Sequence, residues 1–232
     1  MPLNIDDSSR PDMARQVEAE KQLERSLVAG KEVWLEELGR VRNNLEIMIS
    51  LLELQAGTIR DQQAREAFKV SRDRLKAMAF AYEGLYHSRG RSEVNLADCI
   101  CRLVKHLFSS YDARRNIELA VDVERILLDI DQAIPCALII NELVSNALKH
   151  AFPSLSPSAA CCEKEGGYQV RVEMHAQDGH YTLAVGDNGV GFPAEVDFTP
   201  SLGMRLVTML AMQLGGAIQL DRSGGTFRST SG

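Results

Sequence analysis

A chain of 232 residues with 45% hydrophobic content suffices for a helical module plus one globular domain of ordinary size, so two domains are expected. A net charge of −6, with no basic cluster interleaved with aromatics, argues against nucleic acid as a partner. Residues 1–7 read as neither a signal peptide nor a targeting helix. No apolar run approaches the roughly 20 residues that span a bilayer, so no membrane span and a cytoplasmic location are expected.

In chain order, residues 12–56 read as one long helix in which Trp34, Leu38, Val41, Leu45, Met48 and Leu52 recur at alternating four- and three-residue spacing, a heptad seam. A break over residues 57–61 precedes a second such stripe, Ala64, Phe68, Ser71, Leu75, Met78, Tyr82 and Leu85. Two amphipathic helices joined by a short turn predict an antiparallel hairpin with too much apolar surface to stand alone. Pairing with a second copy as a dimerising four-helix bundle is one outcome. The other is a monomer whose hairpin packs on its own following domain. The expected division is a linker helix over 1–30, a dimerisation hairpin over 31–88 and a second domain over 92–232.

The polar run 88–92 marks the boundary. A short strand (93–96), a helix (97–110), a strand (117–121) and a helix (131–151) follow, with Asp131 as N-cap and Pro135 early enough to be tolerated. Strands over 170–175 and 181–185 flank a turn at Gln177, Asp178 and Gly179. A helix around 206–214 and strands over 217–220 and 226–229 close the chain. The predicted class is α+β: a helical hairpin, then an α/β sandwich with helices on one face of a mixed sheet.

Two motifs point to chemistry. In the run N-E-L-V-S-N-A-L-K-H at 141–150, helical spacing puts Glu142, Asn146 and His150 on one face with Lys149 beside them. An acid, an amide, an ammonium and an imidazole in register suit a magnesium triphosphate, because the amide oxygen can hold a hard cation and the amine can neutralise phosphate. The second is D-N-G-V-G at 187–191, after a strand-like alternation. Its glycines let backbone approach a ligand, and a buried Asp187 could accept from an exocyclic amine. Alone, Asp-Asn-Gly is also ordinary turn chemistry. Ser201, Leu202, Gly203 and Met204 open the next helix, and Gly224, Gly225, Thr226, Phe227 and Arg228 complete an ordered set. Only about nine residues separate Pro193 from Gly203, so a flap over the phosphates would be short, with moderate affinity for ATP and fast exchange.

With these motifs the chain resembles the carboxyl-terminal half of sensor histidine kinases of two-component signal transduction. Their GHKL-type ATP-binding fold is shared with type II topoisomerases, the 90-kDa chaperone and mismatch-repair ATPases. The branch is the one whose dimerisation helix reads H-R-V-K-N-N, matched here by Arg40, Val41, Arg42, Asn43, Asn44 and Leu45. The resemblance implies ATP and Mg²⁺ as ligands, with Asn146 on the metal and Glu142 in acid/base or water-orienting work. It also implies Lys149 and His150 near the phosphates, Asp187 on the adenine amine, Gly189 and Gly191 in the floor, Gly203 anchoring the lid and Thr226 near the base. Residues 12–20 resemble the exit helix of a PAS sensor.

One position departs from that pattern. The phospho-acceptor histidine should stand immediately before Arg40, where this chain has Gly39, and glycine offers no nucleophile to the γ-phosphorus. His87, His106, His175 and His180 read as solvated residues rather than replacement acceptors. The five cysteines, Cys99, Cys101, Cys136, Cys161 and Cys162, have no C-x-x-C spacing and an odd count, and read as free thiols. Two functions stay open: an ATP-dependent protein-histidine kinase acting in trans or lacking its own acceptor, and a non-catalytic nucleotide-binding scaffold. Either would dock a response regulator or a partner histidine kinase. A GHKL-type ATPase or serine kinase acting on a sigma-factor system fits the paired heptads less well.

Overall fold

The computed structural model describes residues 10–87, 93–111, 117–152, 167–191, 201–221 and 226–231. The chain forms two compact units, Met1–Val41 and Arg42–Gly232. The first is helical from Arg10 onward and holds Arg40 against Glu36 and Glu37 at 2.8 and 3.2 Å, both on the solvated side.

Helix α1 (Arg10–Thr58) ends two residues beyond the expected 56. Only residues 59–61 break the pattern before α2 (Gln62–His87). Asp61 caps α2 by accepting from the Ala64 N–H at 2.6 Å, the chemistry that lets a helix restart so soon. The two helices run antiparallel: Glu53 meets Lys76 at 3.1 Å and the Arg42 guanidinium lies over the Tyr86 ring. The buried stripes differ from the expected heptads. On α1 Leu45 and Ile49 are buried while Met48 is exposed, and on α2 the deepest positions are Asp73, Ala77, Ala81 and Leu85. The reason is a second neighbour. α2 packs against α3 and α4 of the following domain, and the small side chains of Ala77 and Ala81 let it come close.

That domain contains β1 (Glu93–Asn95), α3 (Leu96–Ser110), β2 (Ile117–Val123), β3 (Leu127–Asp129), α4 (Ile130–Asn146), β4 (Tyr168–Gln177), β5 (His180–Asp187), α5 (Leu202–Gln213), β6 (Ala217–Asp221) and β7 (Thr226–Ser231). The main sheet has the order β2-β4-β5-β7-β6, with β2 parallel to β4 and the rest antiparallel, and β1 pairs with β3 separately. Val170, Val172 and Met174 alternate inward along β4 while Arg171 points out, so one sheet face carries the core. Ile100, Leu103, Val104 and Leu107 of α3 and Ile139, Ile140 and Val144 of α4 close it. The turn at Asp178 and Gly179 has both residues at positive φ (54° and 78°), the two-residue hairpin that Asp-Gly favours. The architecture is the expected one: a helical region followed by a mixed α/β domain.

Four smaller expectations are corrected. The residue before α4 is Asp129, not Asp131, because β3 runs directly into the helix. Residues 131–151 are not one α-helix, since 147–151 widen into a π-helical turn. His106 is half-buried against Phe80, and His175 sits 3.3 Å from Glu124, so neither is simply solvated. Among the described residues no helix is long and apolar enough to cross a membrane.

Cys99, Cys101 and Cys136 are free thiols, while Cys161 and Cys162 lie outside the described residues. Burial pushes the Cys99 and Cys136 thiols from 9.0 up to about 12. A raised native value keeps the proton on, so this contribution to stability is intact below pH 9.0 and is lost as pH climbs toward 12. We expect both thiols to resist iodoacetamide at pH 8 in the native chain and to react on unfolding in urea. Mass mapping of native and unfolded samples checks this.

Candidate functional site

The site is assembled where α4 ends. Val190 donates its N–H to the Ala151 carbonyl at 2.9 Å, tying the D-N-G-V-G loop to the last residue of the π-helical turn. Gly189 makes that contact possible: a Cβ there would stand 2.1 Å from the same carbonyl oxygen, far inside any tolerated approach. Asp187 holds the loop from within, accepting from the Gly189 N–H at 3.0 Å, and Gly191 adopts φ 70°. Asn188 fixes the other side by accepting from the Gln169 N–H at 2.8 Å and donating to the Gly167 carbonyl at 2.9 Å.

The first turn of α5 lies over the polar face of α4. Ser201 caps α5 by accepting from the Met204 N–H at 3.3 Å. At Gly203 a Cβ would come within 2.6 Å of the Glu142 carboxylate, so a glycine is what lets this turn sit on the acid. Asn146, half-buried, directs its amide nitrogen to Met204 Sδ at 3.8 Å, a weak contact that a better partner can replace. Glu142, Asn146, Gly203, Gly189, Gly191 and Asp187 are thus grouped around one end of α4. The π-helical turn rotates Lys149 and His150 out of the phase that α spacing gives them: Lys149 pairs with Glu66 at 2.8 Å, and His150 is exposed. Thr226 opens β7 opposite Asp221, but its side chain lies outside the described residues, as does the flap 192–200. Gly39 belongs to the other unit, and a Cβ added there meets nothing within 4 Å.

Sequence reasoning missed the residues of α2 that reach this face. Arg74 grips Glu142 with two parallel hydrogen bonds, Nε to Oε1 at 2.8 Å and Nη2 to Oε2 at 2.9 Å, while Asn141 Nδ2 adds a third at 3.1 Å. The Glu142 side chain is only 6% exposed, and the pairing holds the Arg74 guanidinium above its ordinary value. Burial presses the Lys149 ammonium down, but Glu66 and Tyr111 more than offset this and leave it raised. The Tyr111 ring also carries the Lys69 ammonium 3.8 Å from its centroid, and burial lowers that ammonium. No spacing rule singles out Arg74, which lies off the heptad stripe.

Residues 38–111 match the histidine kinase family, and residues 131–230 match the histidine kinase-, DNA gyrase B- and HSP90-like ATPase family. The sensor histidine kinase PdtaS of Mycobacterium tuberculosis is 31% identical over 210 residues, covering 89% of this chain and 40% of that protein. PdtaS of Mycolicibacterium smegmatis is 29% identical over 224 residues, covering 92% of this chain and 42% of that protein. The chain therefore spans about 40% of the length of the curated relatives it matches. Among solved structures, the histidine kinase domain of the Erythrobacter litoralis blue-light activated histidine kinase shares the fold at a TM-score of 0.61 and 21% identity, covering 84% of this chain and 89% of that one.

Proposed function

The chain belongs to the histidine kinase family and carries a GHKL-type ATPase domain, and from that premise we propose that it binds ATP with Mg²⁺ at the end of α4 and is built for phosphoryl transfer. The joint between Ala151 and residues 189–190 carries the reading. Two segments far apart in sequence meet through a glycine that admits no side chain, the kind of close backbone approach a nucleotide floor requires. The donor set also fits. Asp187 offers a carboxylate to an exocyclic amine, Asn146 an amide oxygen to a hard cation, and Lys149 and His150 positive charge or donors to phosphate oxygens. Glu142 offers a carboxylate that takes a proton or orients a nucleophile. Among the described residues no group of three or more His, Cys, Asp or Glu is arranged to hold a metal alone. Bound Mg²⁺ supplies charge neutralisation across the phosphates.

The acceptor is the open term. Gly39 cannot take a phosphoryl group, so transfer goes to a histidine of another molecule or of a partner kinase, with a response regulator as the onward acceptor. A homodimer is supported by the apolar stripe that α1 leaves exposed, Ile47, Met48, Leu51 and Leu54, the last 70% exposed. The second reading is a non-catalytic nucleotide-binding scaffold that docks a regulator or partner kinase. It is favoured by Gly39 together with the engagement of both Glu142 oxygens by Arg74.

Calorimetric titration of the full chain with Mg-ATP tests the common core of both readings. Heat of binding is expected, and Asn146→Ala and Asp187→Ala should each weaken it at least about tenfold, the scale of one lost charge-assisted contact. A melting temperature unmoved by millimolar Mg-ATP, with no heat, ends the nucleotide reading.

A further inference from the structure

α2 does more than brace the domain. Every polar group by which it reaches the site ends on a residue assigned above to nucleotide: Arg74 on Glu142, and Glu66 on Lys149. While α2 is seated, each Glu142 oxygen accepts from the guanidinium, and Oε1 from Asn141 as well, so the carboxylate is pinned and its charge is neutralised, which makes it a poor proton acceptor. The Lys149 ammonium, directed at Glu66, is likewise turned from any phosphate.

The same joint is poorly sealed. Asp73 is 1% exposed, and only its Oδ1 is paired, to Arg72; its Oδ2 has no hydrogen bond. Asn141 Oδ1 on α4 is also buried without one. Orphaned polar atoms disfavour a permanent interface, and a buried ion pair stabilises little beyond the cost of stripping water from its ends. The contacts of α3 with α4 are apolar instead: Ile100, Leu103, Val104, Ile139 and Ile140 are fully buried there. One face of α4 is thus a core, and the other a joint that can part.

We propose that α2 is an electrostatic latch on the nucleotide site, in which Arg74 holds Glu142 and Glu66 holds Lys149 while the helix is seated, and nucleotide entry competes with both pairs. This rests on the nucleotide reading above. Phosphate is the stronger claimant on Lys149, because the Glu66 side chain is half in solvent, where an ion pair is worth little. Release of α2 then returns Glu142 to the site as a working carboxylate. Positional control of the hairpin is read out directly as availability of the acid.

The test uses the full chain and two variants, Glu66→Gln and Arg74→Gln. Mg-ATP affinity is measured by calorimetry, and amide hydrogen exchange over residues 62–87 is measured without nucleotide. A latch lowers apparent affinity by the fraction of open molecules, so each variant should bind Mg-ATP about fivefold or more tightly and exchange faster along α2. Mg-ATP added to the unmodified chain should likewise speed exchange over 62–87. Binding of unchanged strength in both variants overturns the latch while leaving the nucleotide site standing, and so does weaker binding. Absence of binding in all three proteins overturns the nucleotide reading and the latch with it. Glu66→Gln guards against misfolding of Arg74→Gln, since Glu66 is exposed and its replacement leaves the buried Arg74–Glu142 pair intact.

Discussion

Gly39→His is expected to turn a chain that takes no label from γ-labelled ATP into one that does, at least about tenfold over background, because the variant supplies the nucleophile that in-line phosphoryl transfer needs. The substitution is sterically free: nothing lies within 4 Å of a Cβ at this position of α1. It is also locally favourable, since glycine inside a helix costs roughly 0.5–1 kcal/mol relative to alanine and histidine costs less. Arg40, next in sequence, is already committed to Glu36 and Glu37, so the new imidazole does not have to displace an acid to be available. Acid-labile, base-stable label confined to the variant means that the transfer machinery works and only the acceptor is missing. Mg-ATP binding without label in either protein leaves the scaffold as the function. Combining Gly39→His with Glu66→Gln couples this result to the latch: labelling of the double variant should outpace that of the single one.

The local geometry of the candidate site was legible in the motif spacing because backbone chemistry at each motif is local. A D-N-G turn after an alternating strand, a polar face at helical spacing and a serine three residues before Met204 each carry their geometry in a few residues, and the D-N-G-V-G loop meets the end of the motif helix through Val190 and Ala151. The Asp178-Gly179 hairpin was readable for the same reason. What stayed hidden depends on packing between elements. The heptads of α1 and α2 predict a seam between those helices, yet the deepest stripe of α2 faces α3 and α4, because two alanines there admit a closer neighbour than Met78 or Tyr82 would. The π-helical turn at 147–151 has no signature in its residues. The extra residue per turn is imposed at its end, where the Ala151 carbonyl has a partner in Val190. Arg74 was invisible because its partner is 68 residues away and no periodicity links them. β3, only three residues long, was too short to announce itself before α4.

Gly189→Ala is the substitution with the largest expected effect on the folded domain. A methyl group at this position falls 2.1 Å from the Ala151 oxygen and 2.6 Å from its carbon, and both are backbone, so no side-chain rotation relieves the clash. Either the loop lifts off, losing the Val190 to Ala151 hydrogen bond, or the π-helical turn moves and takes Lys149 and His150 with it. Overpacking against backbone costs about 1–3 kcal/mol, and breaking the Val190 to Ala151 hydrogen bond adds about 1 kcal/mol. At roughly 2–4 °C per kcal/mol for a chain of this size, the melting temperature should fall by about 5–15 °C. Because Asp187 is held by the Gly189 N–H at 3.0 Å, the same displacement swings the proposed adenine acceptor out of place, so Mg-ATP should no longer raise the melting point of the variant. Gly179→Ala, at φ 78° in the solvated β4–β5 turn, provides the contrast: it strains a turn far from the site, lowers stability, and keeps the nucleotide-induced shift. A Gly189→Ala chain that melts and binds like the unmodified protein removes the close approach as the basis of the pocket.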